Sequence, residues 1–150
     1  MKPHSFIKLF LLLASCIALS FLVDNGDFAT LSKGREHVSS DFDWTGEYPT
    51  SYVVNIEFKD ALHHHTHTHT YNDGTYEINV VVKGTTKVME TGNLKQLYGT
   101  FKCEVESSQF SGTIEIEKTL TIFGDKSEAD LRNDFRDALI KTILKKLENT

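Results

Sequence analysis

Tyr52, Val54, Ile56 and Phe58 alternate with Val53, Asn55, Glu57 and Lys59, a period of two that marks a half-buried β-strand. The same period returns at residues 76–83, with Tyr76, Ile78, Val80 and Val82 on the covered side. It returns again at residues 97–106, where Phe101, Cys103 and Val105 point inward. The cleanest run is residues 113–123, with Ile114, Ile116, Leu120 and Ile122 inward and Glu115, Glu117, Thr119 and Thr121 outward. Lys118 breaks that run on the apolar side and is expected to snorkel at the sheet's rim. Residues 87–90 read as a short further strand or as loop.

The period then changes. Ser127 offers an N-cap followed by an acidic first turn. Leu131, Phe135, Ala138, Leu139, Ile143 and Leu147 mark one helical stripe, and Lys141, Lys145 and Lys146 fall toward the helix's C-terminal end. Short connections between strands favour antiparallel pairing, because parallel neighbours need a long crossover. The predicted architecture is therefore α+β: an antiparallel sheet of four to five strands with one long C-terminal helix packed on its apolar face. Residues 24–50 lack such a period and carry Gly26, Gly34, Gly46 and Pro49, so they read as a tether between residues 1–23 and a domain at 51–150. Phe42, Trp44 and Tyr48 make the tether's second half sticky, either docking it on the domain or forming a binding patch.

The start of the chain has a different character. Lys2 and Lys8 precede an uncharged, mostly apolar run from Leu9 to Val23, and Asp24 and Asp27 follow it. As a helix that run would span about 22 Å, short of a hydrocarbon core of about 30 Å. It reads as an export signal, with Ala18-Leu19-Ser20 suiting cleavage before Phe21. Leu13-Ala14-Ser15-Cys16 resembles the lipobox of bacterial lipoproteins, which would leave Cys16 lipidated, although Ile17 to Val23 stays apolar where lipoproteins turn polar. A retained anchor through residues 6–23 is the third option. The expected address is thus periplasmic, cell-surface or extracellular, free or membrane-tethered, with a protein or other envelope component as partner.

A net charge of −5 without a basic block argues against nucleic acid as a partner. After cleavage Cys103 would be the only thiol, which leaves no internal disulfide, and its place among inward residues marks it as structural. No glycine-rich phosphate loop, nucleophile elbow or calcium loop is present, so the chain is expected not to be an enzyme.

One segment stands out chemically. Five of the seven histidines lie between His63 and His69, in His-His-His-Thr-His-Thr-His. Asn72-Asp73-Gly74 suits a three-residue hairpin loop. That loop would pair His69 with Glu77, His67 with Asn79 and His65 with Val81. Thr66, Thr68 and Thr70 would then be covered, and His63, His65, His67 and His69 would form a stripe on the wet face. Same-face imidazoles about 6.6 Å apart can lean onto one ion, with Glu77 adding an oxygen ligand. The ions that suit imidazole are zinc, copper and nickel, held in an open, exchangeable site. The primary expectation from sequence is a small exported binding domain, and the alternative is a protein that binds or buffers such a metal.

Overall fold

The computed structural model describes residues 36–46, 48–123 and 126–150. Among these residues six strands and one helix follow in order: β1 (Glu36–Trp44), β2 (Tyr52–Lys59), β3 (Thr66–Tyr71), β4 (Glu77–Thr91), β5 (Leu94–Ser107), β6 (Phe110–Phe123) and α1 (Glu128–Glu148). They form a single mixed sheet in the order β1-β6-β5-β4-β2-β3, with α1 against one face. The α+β class holds, but the expected four to five antiparallel strands are six, and β2 runs parallel to β4.

The parallel pair arises without a crossover helix. β2 turns back into β3, which pairs with it antiparallel from Tyr52↔Tyr71 to Glu57↔Thr66. Residues 72–76 then pass over the start of β2, and β4 joins β2 on its other side. The edge strand itself is the long connection that a parallel pair requires. Two side-chain bonds and one backbone bond hold the crossing. Asn72 Nδ2 donates to the Thr50 carbonyl, Gly74 N–H to Ser51 Oγ at 3.2 Å, and Val53 N–H to the Tyr76 carbonyl. Asn72 and Gly74 adopt φ of +54° and +69°, as the turn-forming residues of that segment can.

The apolar parities read from sequence line the core. Val54, Ile56, Phe58, Ile78, Val80, Val82, Phe101, Cys103, Val105, Ile114, Ile116, Leu120 and Ile122 are all buried. α1 covers them with Leu131, Phe135, Leu139, Ile143 and Leu147, each four residues from the last, so one i±4n ridge lies along the sheet. Ser127 caps the helix, its Oγ accepting the Asp130 N–H at 3.2 Å. Residues 87–90 belong to β4, which continues to Thr91 and turns into β5 at Gly92 (φ +58°).

The tether assigned to residues 24–50 needs correction. Its residues 36–44 are β1, an edge strand paired with β6 from Glu36↔Lys118 to Trp44↔Phe110, so the domain does not begin at residue 51. Val38 and Phe42 pack on the core from this strand. Phe42 meets Phe110 edge-on at 5.8 Å, Tyr48 meets Tyr52 edge-on at 5.3 Å, and Tyr52 stacks on Tyr71 at 4.4 Å. Docking, the simpler of the two readings of these aromatics, therefore describes Phe42 and Tyr48. Burial pushes the Tyr48 hydroxyl well above its ordinary range.

Lys118 is also explained by β1. Its side chain is 12 % exposed, and its Nζ pairs with the Glu36 carboxylate directly across the ladder and donates to Thr142 Oγ1 of α1 at 3.0 Å. It does not snorkel to water; it is met by a carboxylate from the strand that the sequence pattern concealed. The expectations for residues 1–23 (signal, lipidated Cys16, anchor) lie outside the described residues, and among the described residues no helix is long and apolar enough to cross a membrane.

Candidate functional site

The histidine tract divides at the start of β3. His63 and His64 sit in the β2–β3 turn with φ of +61° and +50°, both exposed, while Ala61 and Leu62 just before them are tucked into the core. His65 precedes the strand, and its carbonyl accepts the Phe58 N–H at 2.8 Å. His67 and His69 lie within β3.

The register differs from the hairpin expected with residues 75–83. β3 pairs with β2, so His67 faces Ile56 and His69 faces Val54 on the core side of the sheet. The threonines take the opposite face and are exposed, whereas the two imidazoles are half-buried. The predicted solvent stripe is thus reversed. The cost of burying imidazoles is limited here because β3 is the sheet's edge. There both residues keep part of their surface in water, although their Nε2 atoms are covered. The His67 ring meets Phe58 edge-on at 5.8 Å and lies 6.4 Å from the His65 ring.

Glu77 cannot complete a site with these rings. It stands on β4 across from Val53, on the outer face and on the far side of β2. Of the five residues expected to hold a metal, His65 and His67 have neighbouring rings, His69 follows on the same face, His63 lies apart in the turn, and Glu77 is on the opposite side of the sheet. Among the described residues no three His, Cys, Asp or Glu side chains converge as a metal site.

The electrostatics of the inner side come from α1. Burial lowers the His67 pKa, the Arg136 guanidinium lowers it further, and Asp137 opposes both; His65 and His69 add smaller lowering contributions. His67 Nε2 and His69 Nε2 are buried, and none of the described residues gives either a hydrogen-bond partner. An open cleft of ≈ 330 Å³ lies between the histidine turn and the start of α1, with His63, His65, Arg132 and Arg136 on its walls. The Arg132 guanidinium is fully engaged within the fold and the Arg136 guanidinium only in part, its Nε being buried with no partner among the described residues. Arg132 binds Glu128 Oε1 at 2.7 and 2.9 Å and Thr86 Oγ1 at 2.7 Å, and Arg136 donates to Asn133 at 3.2 Å.

The outer side of β3 has its own geometry. The Phe58–His65 bond makes that pair hydrogen-bonded, and antiparallel ladders alternate bonded with non-bonded pairs. His67, His69 and Tyr71 therefore direct their backbone groups to β2. The N–H and C=O groups of Thr66, Thr68 and Thr70 point away from the sheet, and no described strand lies beyond them. On the outer face a polar row crosses three strands. Thr68 Oγ1 donates to Asn55 Oδ1 at 3.2 Å, and Asn55 Nδ2 donates to Asn79 Oδ1 at 3.1 Å.

Sequence reasoning missed this edge because it paired β3 with the wrong neighbour. The signal was the length of residues 60–76, long enough to carry a strand to the outside of β2 and return. Comparison with known proteins finds no matching family model, no similar curated protein and no similar solved structure.

Proposed function

We propose that the chain is an exported, non-enzymatic binding domain that takes an extended partner segment onto the outer edge of β3, which no described strand covers. The export half of this reading rests on the apolar run after Lys8. The binding half rests on one observation: the outward backbone groups of Thr66, Thr68 and Thr70 stand on an edge with no lysine, proline or bulge to block it. β-Strand addition draws affinity from main-chain hydrogen bonds and selectivity from alternate side chains. Here the incoming strand would meet threonines on one face and imidazoles on the other.

Peptide-display selection followed by amide chemical-shift mapping tests the reading. Selected peptides should shift Thr66, Thr68 and Thr70, and Thr68→Pro should abolish binding while leaving every backbone bond to β2 in place and removing only the side-chain bond to Asn55. Peptides that bind equally well to Thr68→Pro would refute it.

A second reading, exchangeable binding of zinc, copper or nickel, draws support from the unpartnered Nε2 atoms of His67 and His69 and from the adjacent His65 ring. The site would use His65 and His67 without Glu77. Calorimetric titration with Zn2+ or Cu2+ should then give a signal that His65→Ala/His67→Ala removes; an unchanged titration would end this reading.

A further inference from the structure

We propose that the strand received by β3 is the β3 of a second copy, paired antiparallel about a two-fold axis at Thr68. The inference rests on the edge reading above and specifies its partner.

The residues of β3 that carry the edge read Thr66-His67-Thr68-His69-Thr70, the same in both directions. An antiparallel copy centred on Thr68 therefore matches like with like along its whole length. Thr68 faces Thr68, Thr66 faces Thr70, and His67 faces His69, so threonines remain on one face and imidazoles on the other. The hydrogen-bonding phase agrees. The outward groups belong to the threonines, which makes the threonine pairs bonded and the His67–His69 pairs non-bonded, the arrangement in which side chains approach most closely. Threonine pairs across strands are favourable in such ladders.

Two further observations favour a second copy. The row Asn79–Asn55–Thr68 ends at the edge with the Thr68 hydroxyl already held by Asn55, so the two-fold would join two such rows across one continuous sheet. Charge distinguishes the sheet's two edges. β1 carries Glu36, Asp41 and Asp43, and two acidic copies would repel there, whereas β3 carries no carboxylate, lysine or arginine. The paired edge is isologous and closes at two copies, leaving the β1 edges outermost.

So short an interface falls below the range of permanent complexes, and a dissociation constant on the order of 100 µM is expected. Sedimentation equilibrium of the full chain, in density-matched non-ionic detergent to cover residues 9–23, should show the 17.0 kDa chain in a concentration-dependent monomer–dimer equilibrium. Thr68→Lys and Thr68→Glu are exposed changes that place like charges opposite each other, and each alone should weaken the dimer about tenfold or more. Their equimolar mixture places opposite charges at the two-fold and should restore dimerisation to the wild-type level or tighter. Thr68→Pro should abolish it. A wild-type chain that stays monomeric at about 1 mM, a Thr68→Lys chain that dimerises as the wild type does, or a mixture no tighter than its components would each overturn the proposal. Peptide-induced shifts at Thr66–Thr70 surviving such a result would leave the edge as a docking strand for a different protein.

Discussion

Replacing Glu36 with glutamine tests both the placement of β1 and the account of Lys118. The substitution keeps the shape of the side chain and removes its charge, leaving the Lys118 ammonium with Thr142 Oγ1 at 3.0 Å and an amide in place of a carboxylate. Exposed ion pairs contribute roughly 0–1 kcal/mol. Removing one partner from a fully buried pair costs about 3–5 kcal/mol, because a desolvated charge is left behind. Lys118 is 12 % exposed and Glu36 40 %, which puts this pair between the two limits, with Glu36→Gln costing about 2 kcal/mol. Lys118→Met acts in the opposite sense. It removes the buried charge, fills similar volume and leaves Glu36 able to reach water, so it should fall within about 1 kcal/mol of wild type. Urea unfolding followed by circular dichroism and by the fluorescence of Trp44, the chain's single tryptophan and a residue of β1, measures both variants. The asymmetry is the diagnostic. If Glu36→Gln is neutral, or Lys118→Met costs more than Glu36→Gln, the pair is not the desolvated contact described and the β1–β6 register loses its best support.

Four further outcomes are expected. Burial raises the Cys103 thiol to about 12, so iodoacetamide at pH 8 should leave the native chain unmodified at this position and alkylate it on unfolding; native-state alkylation would contradict the burial. The unfolded thiol ionises near 8.5, so between that pH and about 12 the unfolded state binds fewer protons than the folded one. Cys103 should therefore make the fold lose stability as pH rises through this window, and Cys103→Ser should flatten the slope in alkaline urea titrations. Gly112→Ala would drive a methyl group into the Asp41 carbonyl oxygen and the Phe42 ring, so it should cost about 2 kcal/mol or more and speed amide exchange in β1 ahead of β4. Ser127→Ala removes the N-cap bond to Asp130 N–H and should cost about 1 kcal/mol by thermal melting.

The elements that could be read from sequence were those whose two faces differ strongly. β2, β4, β5, β6 and α1 each set a buried apolar row against a polar one, and those residues lie where their period put them. β1 was obscured because Ser40 interrupts Val38, Phe42 and Trp44, and because Glu36 sits on the inner parity with a partner 82 residues away. The parity of β3 misled for a related reason. Imidazole and threonine differ too little in polarity for their alternation to show which side is covered, so the choice depended on the turn at Asn72-Asp73-Gly74. That turn formed, with Gly74 N–H bonded to the Tyr71 carbonyl at 3.2 Å, but it leads across β2 rather than back along β3. A turn fixes the path of a few residues. Which strand lies beside which is decided by the competition for the centre of the sheet, where β2, with Val54, Ile56 and Phe58 fully covered, displaced β3 to the margin.

The pairing of β1 with β6 also sets an order of events during synthesis. At about 5–20 residues per second, the ribosome adds Lys118 roughly 4–16 s after Glu36, and until then the described neighbour of β1 is incomplete. The β2–β3 hairpin can close early, but its parallel contact waits for β4. The nascent chain must therefore keep its first described strand apart from β6 through most of its own making, and of the described strands the first made is among the last secured.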